Sequence, residues 1–168
     1  HCSPRIGVRE GVRLKGEYVL TLEDVAEGRS FDDVVAVGTF YLDGHKPDDD
    51  KRTYILDKEY LGVPPYDIPL RALICKDLQN LTMAGRCFSA EQLALSSARV
   101  MPTCAMMGQA AGSLAALAIA GNRDLRQVPY QAVQEVLIAG GSQLDQAKIV
   151  YPSHFKLYRD RPNAKGKA

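Results

Sequence analysis

The residues whose types and spacing could do chemistry are gathered between Asn80 and Gly121, in NLTMAGRCFSAEQLALSSARVMPTCAMMGQAAGSLAALAIAG. The string reads as a short buried strand (LTMAG, 81–85), a tight Gly-Arg turn, a helix from Ala90 to Arg99, a break at Pro102, and a second helix built almost wholly of small residues. Proline is at home in a first helical turn, where its missing N–H leaves nothing unpaired. Gly108, Ala110, Ala111 and Gly112 then let a backbone or a ligand approach closely. Such a helix suits a flat ligand at its start or a tightly packed neighbour along its side, and periodicity alone favours the neighbour.

Other chemistries find little support. Cys2, Cys75, Cys87 and Cys104 contain no CxxC pair and no histidine at a zinc-like interval, which reads as free, mostly buried thiols in a reducing compartment. His45 precedes Asp48, Asp49 and Asp50, but that loop lacks the ligand spacing and the glycine of a calcium loop. No GxGxxG lies between a strand and a helix: Gly7, Gly11 and Gly16 are wrongly spaced and precede a strand. No metal is expected, and no dinucleotide-binding start.

The elements that must position these residues follow from the pattern of the chain. Its 168 residues suffice for a core, and 21 Lys+Arg against 20 Asp+Glu leave no basic face for nucleic acid. The apolar run from Cys104 to Ala120 contains Gln109 and several glycines, so it reads as a buried helix rather than a membrane span. GEYVLTL (16–22) reads as a strand, Thr21 with Asp24 as a capping box, VVAVGTFYL (34–42) as a strand and TYIL (53–56) as another. LGVPPYDIPLRALI (61–74) is proline-rich and extended. Val128 and Pro129 open an amphipathic helix that buries Val133, Val136 and Leu137 and ends at Gly140-Gly141. KLYRDRPNAKGKA (156–168) reads as a solvated basic tail.

AGRCFSA (84–90) followed by SARVMPTCAMMGQAAG (97–112) resembles the C-terminal part of FAD-dependent oxidoreductases related to the succinate dehydrogenase/fumarate reductase flavoproteins. IGVREGVRLKGEYVLTLEDV (6–25), YLDGHKP (41–47) and YDIPLRALI (66–74) look like that family's preceding segments, in the same order. The resemblance implies an α+β or α/β fragment of a two-domain flavoprotein. Residues 1–75 would be part of a substrate or cap domain and 76–150 would complete the FAD-binding domain, with 151–168 as a tail. The N-terminal Rossmann βαβ unit is absent. The chain opens without Met, so an upstream segment is expected, and composition does not choose between cytoplasm and periplasm.

The resemblance also implies roles. The helix after Pro102 is the one aimed at the flavin, whose reduced ring carries negative charge along its N1–C2 edge, and a helix N-terminus suits that edge. Met101, Thr103 and Cys104 would present backbone N–H groups to it. Gly85 and Arg86 would lie near the ribityl chain, Gly108 and Gly112 would allow close packing, and Arg99 would offer a cationic contact or pair with a carboxylate. For the substrate, His45 would move a proton and Arg71 would hold an anionic or polarised group, unless it pairs with Asp67 or Asp77. The chain departs from the family at Arg9-Glu10-Gly11, where RES is common. It departs again at Glu91-Gln92, where Thr-His commonly follows Ser-Ala; Gln92 hydrogen-bonds but cannot shuttle a proton. The implied activity is hydride transfer between a small-molecule substrate and FAD. The alternative is a non-catalytic module that binds no FAD alone and associates, with itself or an upstream portion, through an exposed apolar face. Nucleic acid and membrane are not expected partners.

Overall fold

A computed structural model describes residues 10–45, 56, 58–150 and 154–162. Thr21 opens helix α1 (Leu22–Glu27) as expected: its Oγ1 accepts from the Asp24 N–H at 3.1 Å, and Asp24 Oδ2 accepts from the Thr21 N–H at 2.9 Å. Gly28, at φ +66°, closes the helix in a left-handed conformation that a side chain resists. Strand β1 (Val34–Gly38) pairs antiparallel with β2 (Tyr66–Pro69), with Ala36 opposite Ile68 and Gly38 opposite Tyr66. Gly38 is required there, since a Cβ would collide with the Tyr66 ring.

Two strands alone are marginal in water and need a covering layer. Helices α3 (Met101–Ala120) and α4 (Tyr130–Ala139) supply it by packing on β1, while α1 packs on β2. Helix α2 (Gln92–Ala98) lies between the Gly85–Cys87 turn and α3. The core joins Leu20, Val25, Val35, Tyr66, Ile68, Phe88, Leu95, Met107, Leu114 and Leu137.

Several segments differ from expectation. GEYVLTL is not a strand. It bridges Cys75 through Gly16 and Ala90 through Leu20, and its N–H groups go to Ile74, Arg71 and Ser89 in turn, so no ladder is sustained. LTMAG makes a single bridge, Thr82 to Ile74, and is half-buried. Most of TYIL lies outside the described residues. IPLR divides into the end of β2 and a 3₁₀ turn, Leu70–Ala72. Helix α4 buries Val133 and Leu137, but Val136 is 43% exposed. The tail is partly docked: the Tyr158 N–H donates to Gly62 C=O at 2.7 Å, and the Tyr158 ring is buried.

Helix α3 departs most. Thr103, Met107, Ala110, Leu114 and Ala118 are buried, as the 3.6 period dictates. The opposite face, with Ala105, Gly108, Gly112, Ala116 and Ala120, is exposed. A Cβ at Gly108 or Gly112 would meet nothing within 4 Å. These glycines therefore serve no close packing within the described residues. By length and composition alone this helix could cross a membrane, but one of its faces is part of the core.

Candidate functional site

An opening of about 910 Å³ begins at the N-terminus of α3. Its walls are the end of β1 with Thr39 and Phe40, the first turns of α3 from Met101 to Gln109, and the residues that end α4. Gly141, at φ +89°, allows the sharp turn there. The groove thus lies between the positive end of one helix dipole and the negative end of another.

The helix end itself is unusual in its chemistry. Its N-cap is Val100, whose side chain accepts no hydrogen bond. Apolar residues are poor N-caps because they leave the first N–H groups unsatisfied. Pro102 has no N–H to offer, and the Cys104 N–H donates to Val100 C=O at 2.9 Å. Met101 and Thr103 are left with N–H groups that have no acceptor within the helix. The expectation for Cys104 is therefore corrected: its N–H is committed to the first helical bond.

Among the described residues, Arg99 is the single ionisable one that lines the groove. Its guanidinium, 7% exposed, donates to Glu10 Oε1 at 2.6 Å and to Asp43 C=O at 2.8 Å. Gln92 Nε2 donates to the same Glu10 carboxylate at 3.3 Å. The two places where the sequence departs from the family pattern thus meet in space around Arg99. His45 does not line the groove. It is joined to it through this network, since its Nε2 lies 2.9 Å from Asp43 Oδ1 and the Asp43 carbonyl is held by Arg99.

Phe40 is fixed from behind. Ser97 Oγ donates to Phe40 C=O, so the Tyr66 hydroxyl must donate to Ser97, at 2.7 Å. All of this chain of hydroxyls is shielded from water.

Other expected residues are placed elsewhere. Arg71 lines a separate cleft of about 320 Å³ with Glu17, Asp33 and Tyr130. It lies over the rings of Tyr18 and Phe31, and it pairs with Asp33 at 3.5 Å rather than with Asp67 or Asp77. Gly85, at φ +81°, opens the 3₁₀ turn that packs on the start of α3, with Arg86 next to it. Gly108 faces outward, away from the groove lining. Of the expected cofactor residues, Arg99, Met101 and Thr103 are brought together. Glu10, Asp43 and Phe40 were missed by sequence reasoning, because only tertiary contact joins them to Arg99 and α2. Asp48, Asp49 and Asp50 lie outside the described residues. Among the described residues, no group of three His, Cys, Asp or Glu side chains could hold a metal.

The model of one protein family, described as FAD dependent oxidoreductase, matches residues 1–137. The chain belongs to the FAD-dependent oxidoreductase family. No curated protein and no solved structure matches it. This FAD-dependent oxidoreductase family implies FAD as cofactor. The donor set at the start of α3 fits the polar edge of a flavin: two N–H groups without helical acceptors, beside an apolar groove wall containing Val37, Phe40 and Met106.

Proposed function

We propose that this chain is the C-terminal portion of an FAD-dependent oxidoreductase and holds the isoalloxazine end of the cofactor. We place it nearest the succinate dehydrogenase/fumarate reductase flavoproteins, on the AGRCFSA and SARVMPTCAMMGQAAG segments. The observation that carries the reading is the open N-terminus of α3, where Val100 stands in place of a capping side chain.

When bound, the flavin supplies hydride transfer to or from a substrate carbon. The chain's own residues bind and orient the ring. Met101 and Thr103 would donate their N–H groups to the ring, and Val37, Phe40 and Met106 would shield it from water. Arg99 holds the Asp43 backbone and, through it, the loop that carries His45. His45, whose ring Asp43 orients, does not line the groove and takes no step there. Arg71, in its separate cleft, takes no part in the groove.

Riboflavin, which carries the ring without the adenosine half, tests this reading. Titrated into the chain, it should lose fluorescence on binding. Val100→Asp, which fills the open helix end with a carboxylate, should weaken that binding by roughly tenfold or more, the worth of one charge-assisted hydrogen bond. No quenching, or equal quenching in both proteins, sinks the proposal.

A second reading rests on the bare face of α3. Ile119 is 81% exposed, and Gly108 and Gly112 have open space where a Cβ would stand. Exposed apolar surface of this kind drives association. In that reading the chain is a non-catalytic module, and a strictly monomeric species on a sizing column counts against it.

A further inference from the structure

We propose that the C-terminal segment from His154 to Pro162 is a strap that positions one wall of the groove, with Phe155 as its positioning residue. The segment lies beyond the residues that match the family, 1–137, and its basic sequence reads as a solvated tail. In the fold it runs alongside residues 59–62. The Lys156 N–H donates to Glu59 C=O at 3.1 Å, the Gly62 N–H to Lys156 C=O at 3.0 Å, and the Tyr158 N–H to Gly62 C=O at 2.7 Å. Gly62 and Leu157 thus form a parallel bridge. The Tyr158 ring joins the core, with the Arg161 guanidinium 3.7 Å from its centroid, and Arg159 reaches Glu27 of α1 at 3.9 Å.

Two routes lead from this strap to the groove. Along the backbone, Leu61 C=O accepts the Leu42 N–H at 2.9 Å, so residues 59–62 are bonded on one side to the strap and on the other to the chain that leaves β1. Through side chains, Phe155 packs on Tyr41 with ring centroids 4.8 Å apart, and Tyr41 stacks on Phe40 at 4.2 Å with the planes 29° apart. Phe40 lines the groove. Its carbonyl is held by Ser97, but its ring is held by Tyr41. Aromatic pairs keep to a few offset or tilted arrangements, so Phe155 limits the positions open to Tyr41, and Tyr41 those open to Phe40. Lys156, next to Phe155, pairs with Glu59 and lies over the Tyr60 ring instead.

A wall that is already fixed when a ligand arrives need not be ordered by the ligand, and that saving appears as affinity. The strap therefore preorganises the Phe40 side of the groove from outside the family-matched part of the chain. The consequence for a flavin rests on the reading above. The coupling between Phe155 and the groove wall does not depend on it.

The test follows hydrogen exchange in the full chain, with riboflavin binding measured alongside by fluorescence. Phe155→Ala should quicken exchange at residues 40–42 by about three- to tenfold, the worth of one aromatic pair, and weaken riboflavin binding by a similar factor. Phe155→Tyr, which keeps the ring, should restore both. Lys156→Ala, on the same strap, should leave residues 40–42 unchanged. Unchanged exchange there in Phe155→Ala overturns the proposal. So does an acceleration that spreads through β1 and β2, which is general loosening of the fold, and so does faster exchange with riboflavin affinity unaltered. If the native chain binds no riboflavin, the flavin reading fails, and exchange alone decides whether the strap holds the wall.

Discussion

The hydroxyl of Tyr66 donates to Ser97 Oγ at 2.7 Å, and Ser97 passes its own proton to the Phe40 carbonyl. This pair ties β2 to α2 and fixes one wall of the groove from inside the core. The two partners are not equivalent. Tyr66→Phe removes a donor and leaves the Ser97–Phe40 bond in place, costing about 1 kcal/mol. Ser97→Ala removes both bonds of the relay at once, the one accepted from the buried Tyr66 hydroxyl and the one donated to the Phe40 carbonyl, costing about 2–3 kcal/mol. Urea denaturation of the two variants should show that order.

The open end of α3 leads to a stability gain. A carboxylate at position 100 accepts the Thr103 N–H and complements the helix dipole. Val100→Asp should therefore stabilise the fold by about 0.5–2 kcal/mol, read as a higher melting temperature. Val100→Ala should give no such gain.

Asp24 sets an acid dependence. Burial pushes its carboxyl up, but the Arg29 guanidinium, the Thr21 backbone N–H and the Tyr18 hydroxyl outweigh that and hold it below the ordinary carboxylate value. A carboxylate with a depressed native value stabilises the fold above its unfolded value, near pH 4, and the contribution fades as pH falls through the native one. The stability gap between the native protein and Asp24→Asn should therefore be widest at neutral pH and close on acidification.

Tyr18 gives the alkaline counterpart. Burial, helped by the hydrogen bond to Asp24, pushes its hydroxyl from 10.0 up to about 12. That contribution is complete below pH 10 and is lost as pH rises towards 12. Denaturation followed across that window should show a steeper loss in the native protein than in Tyr18→Phe.

Arg126 ties the loop after Cys75 to the rest of the chain. Its Nη2 donates to the carbonyls of Cys75 at 2.6 Å, Lys76 at 3.0 Å and Leu78 at 3.0 Å, and its Nε to Glu17 at 2.7 Å. A lysine ammonium cannot reproduce this planar fork. Arg126→Lys should destabilise by about 1–3 kcal/mol, with faster hydrogen exchange confined first to residues 75–78.

The sequence by itself determined the local features whose causes are local. The Thr21–Asp24 box, the proline in the first turn of α3 and the Gly140-Gly141 stop all rest on neighbours within a few residues, whereas β1 ends at Gly38 and is buried on both faces rather than alternating. The family also follows from the order of short segments along the chain. Tertiary structure decided the rest. GEYVLTL has strand propensity, yet its N–H groups find three different partners, so propensity had no ladder to act on. Arg71 and Arg99 look alike in sequence, but one is held by Asp33 over two rings and the other by Glu10 and the Asp43 carbonyl at the groove. Which helix end stays open, and which face of α3 stays bare, depends on what long-range packing brings against them, and no local pattern of residues encodes that.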